Sequence, residues 1–229
     1  MKKILLLILA LFIALFFYEG NIVSNSVFPN LFSRSSSSDV VNLSISGPNN
    51  YKTDWVVPKK YLALSKNRRG GVQSSIVLHL SLNKLVKSQK ENSSNTVDLS
   101  KLEGREDLIE ITLSFGGREG AVDSVFEGLE KTGNFIIVDE NFSNLKLYKS
   151  QEDYSRGSPN MWAKPVDEAR GKDIYMWMLS TLNSKNHFQI YSQINGVASM
   201  NVSYSLSNIK DWEEIDWSVR KFVMALSSN

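Results

Sequence analysis

The chain contains no cysteine, and that absence closes several routes at once. It removes disulfides, cysteine-based zinc sites and the acylated cysteine that would follow a lipoprotein signal. A domain without staples must be held by its core, and the length suffices for one, since about 190 of the 229 residues follow Asp39. Histidine is almost as scarce, with only His79 and His187 present. A metal site wants three or four convergent donors at chelating spacing, so both histidines read as ordinary strand residues and no metal is expected. Walker A, Gly-x-Gly-x-x-Gly, His-Glu-x-x-His and Gly-x-Ser-x-Gly patterns are all missing. No catalytic residue and no cofactor can therefore be named. The net charge of +2 leaves no basic footprint for a nucleic-acid partner.

One long apolar run is present, at the start. Lys2 and Lys3 precede fifteen apolar residues from Ile4 to Tyr18, the charged and hydrophobic regions of a bacterial export signal. The run is shorter than the ~20 residues of a comfortable membrane span, which fits a cleaved signal. Against cleavage, no Ala-x-Ala follows, and Phe16, Phe17 and Tyr18 close the run as interfacial aromatics do. The expectation is an inner-membrane signal anchor over residues 1–20 with the rest facing the periplasm, the alternative being a soluble periplasmic protein after cleavage. Residues 21–39, rich in serine, read as a flexible tether. A single α+β domain is expected over 40–229.

Within that domain most periodicity is of the strand type. Ile76, Leu78, Leu80 and Leu82 alternate with Val77, His79, Ser81 and Asn83, and Ile109, Ile111, Leu113 and Phe115 alternate with Glu110, Thr112 and Ser114. One apolar and one polar face per strand predicts an antiparallel sheet covered on one side. The stretch between these strands reads as a polar loop. "DWVVPKKYLAL" predicts an edge strand or one ending at Pro58, and Arg68 to Gly71 a turn. Between Gly120 and Gly133 the spacing of Val122, Val125, Phe126 and Leu129 changes to three and four, predicting a short amphipathic helix with Gly133 as its left-handed cap. "FIIVD" and "LKLYKS" read as strands across the turn "ENFSN". Residues 151–173 read as one long loop. "DIYMWMLS", "HFQIYSQI" and "SMNVSYSLS" form a C-terminal meander, the last two joined at Asn195-Gly196.

The chain closes on "DWEEIDWSVRKFV". Trp212, Ile215, Val219, Phe222 and Leu226 recur at three and four residues and predict a packing helix. Asp211 with Glu214 resembles a capping box, and Arg220 and Lys221 suit the negative end of a helix dipole. Its acids then belong to helix chemistry. The acids Glu103, Glu106, Asp107 and Glu110 could in principle supply the facing carboxylates of a glycosidase, but solvated charge is the simpler reading.

A binding role needs a surface, and the long loop offers one in Tyr154 to Trp162, "YSRGSPNMW". Loops of that length inside a compact domain are often functional, and aromatics and arginine dominate interface energetics. Tyr154, Arg156, Met161 and Trp162 are the candidate partner-binding residues. The competing reading of Trp162 is core packing, the usual fate of a large aromatic.

"WVVPKKYLAL", "GGVQSSIVLHLSL" and "YSLSNIKDWEEIDWSVRKFV" together resemble a group of exported or membrane-tethered proteobacterial proteins. Pro58, Tyr61, Gly70, Gly71, Tyr204, Trp212, Ile215, Asp216 and Val219 carry the likeness, which lies at the domain ends. Members of that group are found beside toxins of the type VI secretion system, which implies periplasmic immunity by binding a cognate toxin. The chain departs from the group's lipoproteins in lacking the acylated cysteine, so the resemblance implies tethering by an anchor instead. The expected function is a non-enzymatic, periplasm-facing immunity protein with a toxin as partner. The alternatives are a cell-envelope hydrolase using paired carboxylates and a structural component of an envelope assembly.

Overall fold

The computed structural model describes residues 40–47, 52–90, 98–116, 121–133, 135–150, 161–167, 174–179, 187–194 and 198–227. Over these residues the chain is α+β, with two sheets and three α-helices. Strands β1 (Val40–Ser46) and β2 (Lys52–Pro58) pair antiparallel, and β3 (Gly71–Gln73) lies parallel to β1, giving a small sheet of order β2-β1-β3. Pro58 ends β2 at the edge of this sheet, where a missing N–H costs no ladder bond. Gly70 and Gly71 turn the chain into β3 with φ of 78° and 77°, a conformation that disfavours any residue with a Cβ.

The larger sheet holds β4 (Ser75–Ser81), β5 (Leu108–Phe115), β6 (Phe135–Phe142), β7 (Leu145–Ser150), β8 (Met161–Pro165), β9 (Ile174–Leu179), β10 (His187–Ile194) and β11 (Ala198–Ser205). Its order is β4-β5-β11-β10-β9-β8-β7-β6, antiparallel throughout. From β5 the chain crosses to the far edge by way of helix α2 (Ala121–Thr132) and then returns strand by strand to close against β5. The C-terminal meander of the sequence analysis is the last part of this return.

Alternation gives each strand two faces. Leu78, Ile111, Val202 and Ile190 lie side by side across one face and join Leu43, Ile45 and Trp55 of the small sheet in a single continuous core. Helices α1 (Leu82–Lys90) and α3 (Trp212–Leu226) seal it with Leu85, Ile215 and Val219. Each apolar side chain of this size removed from water contributes about 1.5–3 kcal/mol. The opposite face is covered at its far end, where Phe126 of α2 meets Tyr148 of β7 with ring centroids 5.2 Å apart.

Three sequence expectations need correction. The strand expected to run on through Leu82 and Asn83 ends at Ser81, and the chain from Leu82 into the first residues read as a polar loop forms α1, whose buried side is Leu82, Leu85, Ser88 and Gln89; half of that stripe is polar, so hydropathy alone hid the helical spacing. The long loop over 151–173 is interrupted by β8, whose strand pairing with β7 and β9 is set by neighbours remote in sequence. The face of β4 expected to be wet is closed, since Val77, His79 and Ser81 are all buried; alternation says which residues share a face, not whether that face is covered.

Helix α3 keeps its predicted apolar stripe, with Trp212, Ile215, Val219 and Phe222 buried. Its polar chemistry differs from the expectation. The Asp211 side chain makes no capping bond, because a 3-10 turn over Leu206–Asp211 runs straight into the helix. Glu214 reaches instead across to Lys90 of α1 at 2.6 Å. The helix continues to Leu226, so Arg220 and Lys221 sit before its last turn. Arg220 is held by Asp216 at 2.8 Å and donates to the Gln193 carbonyl at 3.1 Å, tying α3 to β10.

Candidate partner-binding groove

Among the described residues, two concavities are candidate sites. The first, about 270 Å³, is lined by Phe142, Leu147, Met161, Trp162, Ala163, Phe188, Leu206 and Ile209, and is almost wholly apolar. Its floor is the core face of the sheet, where β7, β8 and β10 bring Leu147, Met161, Ala163 and Phe188 together. The floor is firm, since Phe188 is buried edge-on against Tyr204 with centroids 5.7 Å apart. One wall is Phe142 at the end of β6, and the other is Leu206 and Ile209 of the 3-10 turn before α3.

The walls are pinned to each other. The Trp212 indole N–H donates to the Ser143 carbonyl at 2.8 Å, and the Asn144 amide donates to Glu213 at 2.9 Å. Ser143 and Asn144 form the two-residue turn between β6 and β7 with φ of 50° and 63°, the left-handed geometry that matches strand twist in a tight hairpin. A groove fixed in this way presents apolar surface to a ligand without a large ordering cost.

Of the residues singled out in the sequence, Met161 lies in this groove, half buried. Trp162 is buried. Strand alternation places it beside Tyr148, on the face opposite Met161 and Ala163. Both stand on a strand rather than on a loop. Tyr154 and Arg156 lie outside the described residues. Phe142, Leu147, Phe188, Leu206 and Ile209 were not singled out, because in the sequence they look like ordinary inward positions. The apolar pair Leu206 and Ile209 between a strand and a helix, too close together to belong to either, is the one signal that could have marked the site.

The second concavity, about 310 Å³, runs between α1 and the start of α3 and is lined by Asn83, Lys87, Lys90, Asn208, Asp211 and Glu214 over Leu82, Val86 and Ile215. Its opposite charges neutralise each other through the Lys90–Glu214 pair. The carboxylates weighed for hydrolysis are engaged elsewhere. Asp107 is buried, accepting the backbone N–H groups of Asn83 and Glu103 at 2.8 Å each, which corrects the solvated reading. Glu110 lies 2.6 Å from the buried His79 imidazole. His187 stands on β10 opposite Ser205, far along the sheet from β4. Among the described residues no group of three or more His, Asp or Glu side chains could hold a metal ion.

No family model matches the chain, and no curated protein matches it. Two solved structures match the chain. An immunity protein of the Stenotrophomonas maltophilia type IV secretion system superposes with a TM-score of 0.53 at 11% identity, over 84% of this chain and 95% of that one. The two share a fold. The iron-regulated outer membrane lipoprotein FrpD of Neisseria meningitidis superposes with a TM-score of 0.44 at 12% identity, over 83% of this chain and 93% of that one.

Proposed function

We propose that the protein is an immunity protein that neutralises a secreted antibacterial effector by binding it directly. The observation that carries this reading is the fold shared along 84% of the chain with a secretion-system immunity protein. The sequence resemblance to a group found beside type VI toxins supports the same class of partner, although the solved neighbour belongs to a type IV system. The apolar, preorganised groove supplies the surface. Aromatic and methionine side chains among its lining are the types enriched where proteins meet, and Met161 and Leu206 are both part-exposed there. The proposal includes the address, an inner-membrane anchor formed by the run from Ile4 to Tyr18 with the domain on the periplasmic side.

The test is rescue. Effectors encoded beside the gene are directed to the periplasm of a susceptible cell, with and without the full chain. Survival and co-purification with one effector are expected, and whether that effector travels by a type IV or a type VI apparatus then decides the route. Within the complex, Met161→Glu together with Leu206→Glu should weaken binding more than about tenfold, the size of a hot-spot loss. Absence of rescue by every neighbouring effector, with a deletion strain as resistant to its kin as the parent, would overturn the reading. Protease added to spheroplasts tests the address: the domain should be digested from outside.

A further inference from the structure

The two edges of the large sheet are treated differently. At β4 the outer backbone is occupied. Leu62 bridges to Leu78, the Ala63 N–H donates to the Val77 carbonyl at 2.8 Å, and buried Asn67 accepts from the Val77 N–H at 3.1 Å while donating to the Ser75 carbonyl at 2.8 Å. At β6 no described strand takes the outer side. Yet β6 carries three consecutive exposed apolar residues, Ile136 at 45%, Ile137 at 44% and Val138 at 46%. Natural edge strands are normally blunted by charge, proline, a bulge or a covering segment. Here the nearest charge, Asp139, comes only after the apolar run, and a bulge at Val138 breaks the register between Ile137 and Asp139.

We propose that β6 is a dimerisation edge, paired antiparallel with β6 of a second copy of this chain. An open edge offers N–H and C=O groups that only an extended backbone can satisfy, which sets the form of the occupant. The side chains set its composition. Consecutive apolar residues point to both faces of the sheet, so the incoming strand must be apolar on both faces as well, as the run from Phe135 to Val138 is. In an antiparallel two-fold arrangement that run meets itself, and the two Asp139 carboxylates fall at opposite ends, away from each other. A parallel copy would align them, and like charges on paired strands are destabilising. The contact is isologous and closes at two chains. The bulge confines it to the regular first half of β6, so further slippage along the edge is blocked. The groove opens on the core face beyond the other end of β6, so the dimer leaves it available.

The lack of cysteine makes the test direct. Single-cysteine variants Ile136→Cys, Ile137→Cys and Val138→Cys of the full chain, purified in detergent, are oxidised mildly and run on a non-reducing gel, with Met224→Cys, 45% exposed on α3, as the control of equal exposure. Paired strands bring facing residues within disulfide reach, so at least one β6 variant should give a species of twice the chain mass while the control stays single. Light scattering should give the protein part of the wild type the mass of two chains and Ile137→Lys the mass of one, with an unchanged unfolding midpoint. If Ile137→Lys misfolds, the cysteine series still decides. A single-chain mass for the wild type, a doubled mass that persists in a folded Ile137→Lys, cross-linking of Met224→Cys equal to that of β6, or cross-linking of β6 only to another protein overturns the proposal.

Discussion

Asp107 shows how much one buried carboxylate can organise. Its side chain accepts from Asn83 and Glu103, and its own carbonyl accepts from Leu82 at 2.7 Å, while the Ser81 hydroxyl accepts from Lys84 at 3.2 Å. Between them these groups satisfy the first N–H donors of α1, which would otherwise be left without partners. Asp107→Ala should lower unfolding free energy by about 1–3 kcal/mol in urea titration, the cost of orphaned buried donors. The exposed neighbour Glu106, changed to alanine, should alter it by no more than about 0.5 kcal/mol. Nothing in "EGRED" separates the two acids, because the donor that distinguishes Asp107 lies 24 residues away. Tyr148 makes a second residue-level prediction. Burial, followed by repulsion from Glu130, pushes its hydroxyl from the ordinary value of 10.0 up to about 12. Between those values the folded chain keeps a proton that the unfolded chain has lost, so stability falls as pH rises through that window. Burial shifts Tyr61, Tyr191 and Tyr204 the same way. Tyr148→Phe should flatten the fall above pH 10 in denaturation series while leaving stability near pH 7 within about 1 kcal/mol, since only one weak hydrogen bond is lost.

The elements divide by whether their pattern was local. β4, β5, β10, β11, α2 and α3 were legible because apolar residues recur at two or at three and four, and Gly133 does adopt φ of 66° after α2. β8 was hidden, since "MWAKP" is short and flanked by turn-forming residues; its strand character comes from being laid between β7 and β9. The β6–β7 turn was expected in the right place, but its anchoring to α3 was invisible, because Ser143 and Trp212 meet 69 residues apart. This turn carries the third prediction. With φ of 63°, Asn144 occupies a region that costs a residue with a Cβ about 1–2 kcal/mol, a cost that asparagine and glycine largely escape. Asn144→Ala should therefore destabilise by about that amount and Asn144→Gly by less, although both lose the bond to Glu213. Equal losses in the two variants, measured by chemical denaturation, would assign the effect to the hydrogen bond instead.

At the scale of the molecule, an α+β architecture dominated by antiparallel strands followed from period-two alternation, whereas the strand order did not. The crossing from β5 to the far edge, the six-strand return and the closure of β11 on β5 depend on which apolar faces can share one core, and no local pattern encodes that choice. The candidate groove was legible only at Met161 and the neighbouring Trp162 for the same reason: its other lining residues become a surface once the 3-10 turn before α3 stops short of covering the sheet. The shared core also makes a prediction about cooperativity. The described residues all fall in one unit, Ser36–Asn229, and a continuous cluster runs through it from Val41 and Trp55 to Leu145, Ala163 and Val223. A cluster that joins both sheets and two helices leaves no half with a core of its own, so residues 36–229 expressed alone should unfold in one step, with tryptophan fluorescence and far-ultraviolet circular dichroism giving the same urea midpoint. The far end of the sheet is the place where this could fail, since Phe126, Tyr148 and Trp162 are buried outside that cluster. Two separated transitions, the earlier one removed by Phe126→Ala, would show that α2 with β6 to β8 melts first and that the shared core does not bind the whole sheet into one cooperative unit.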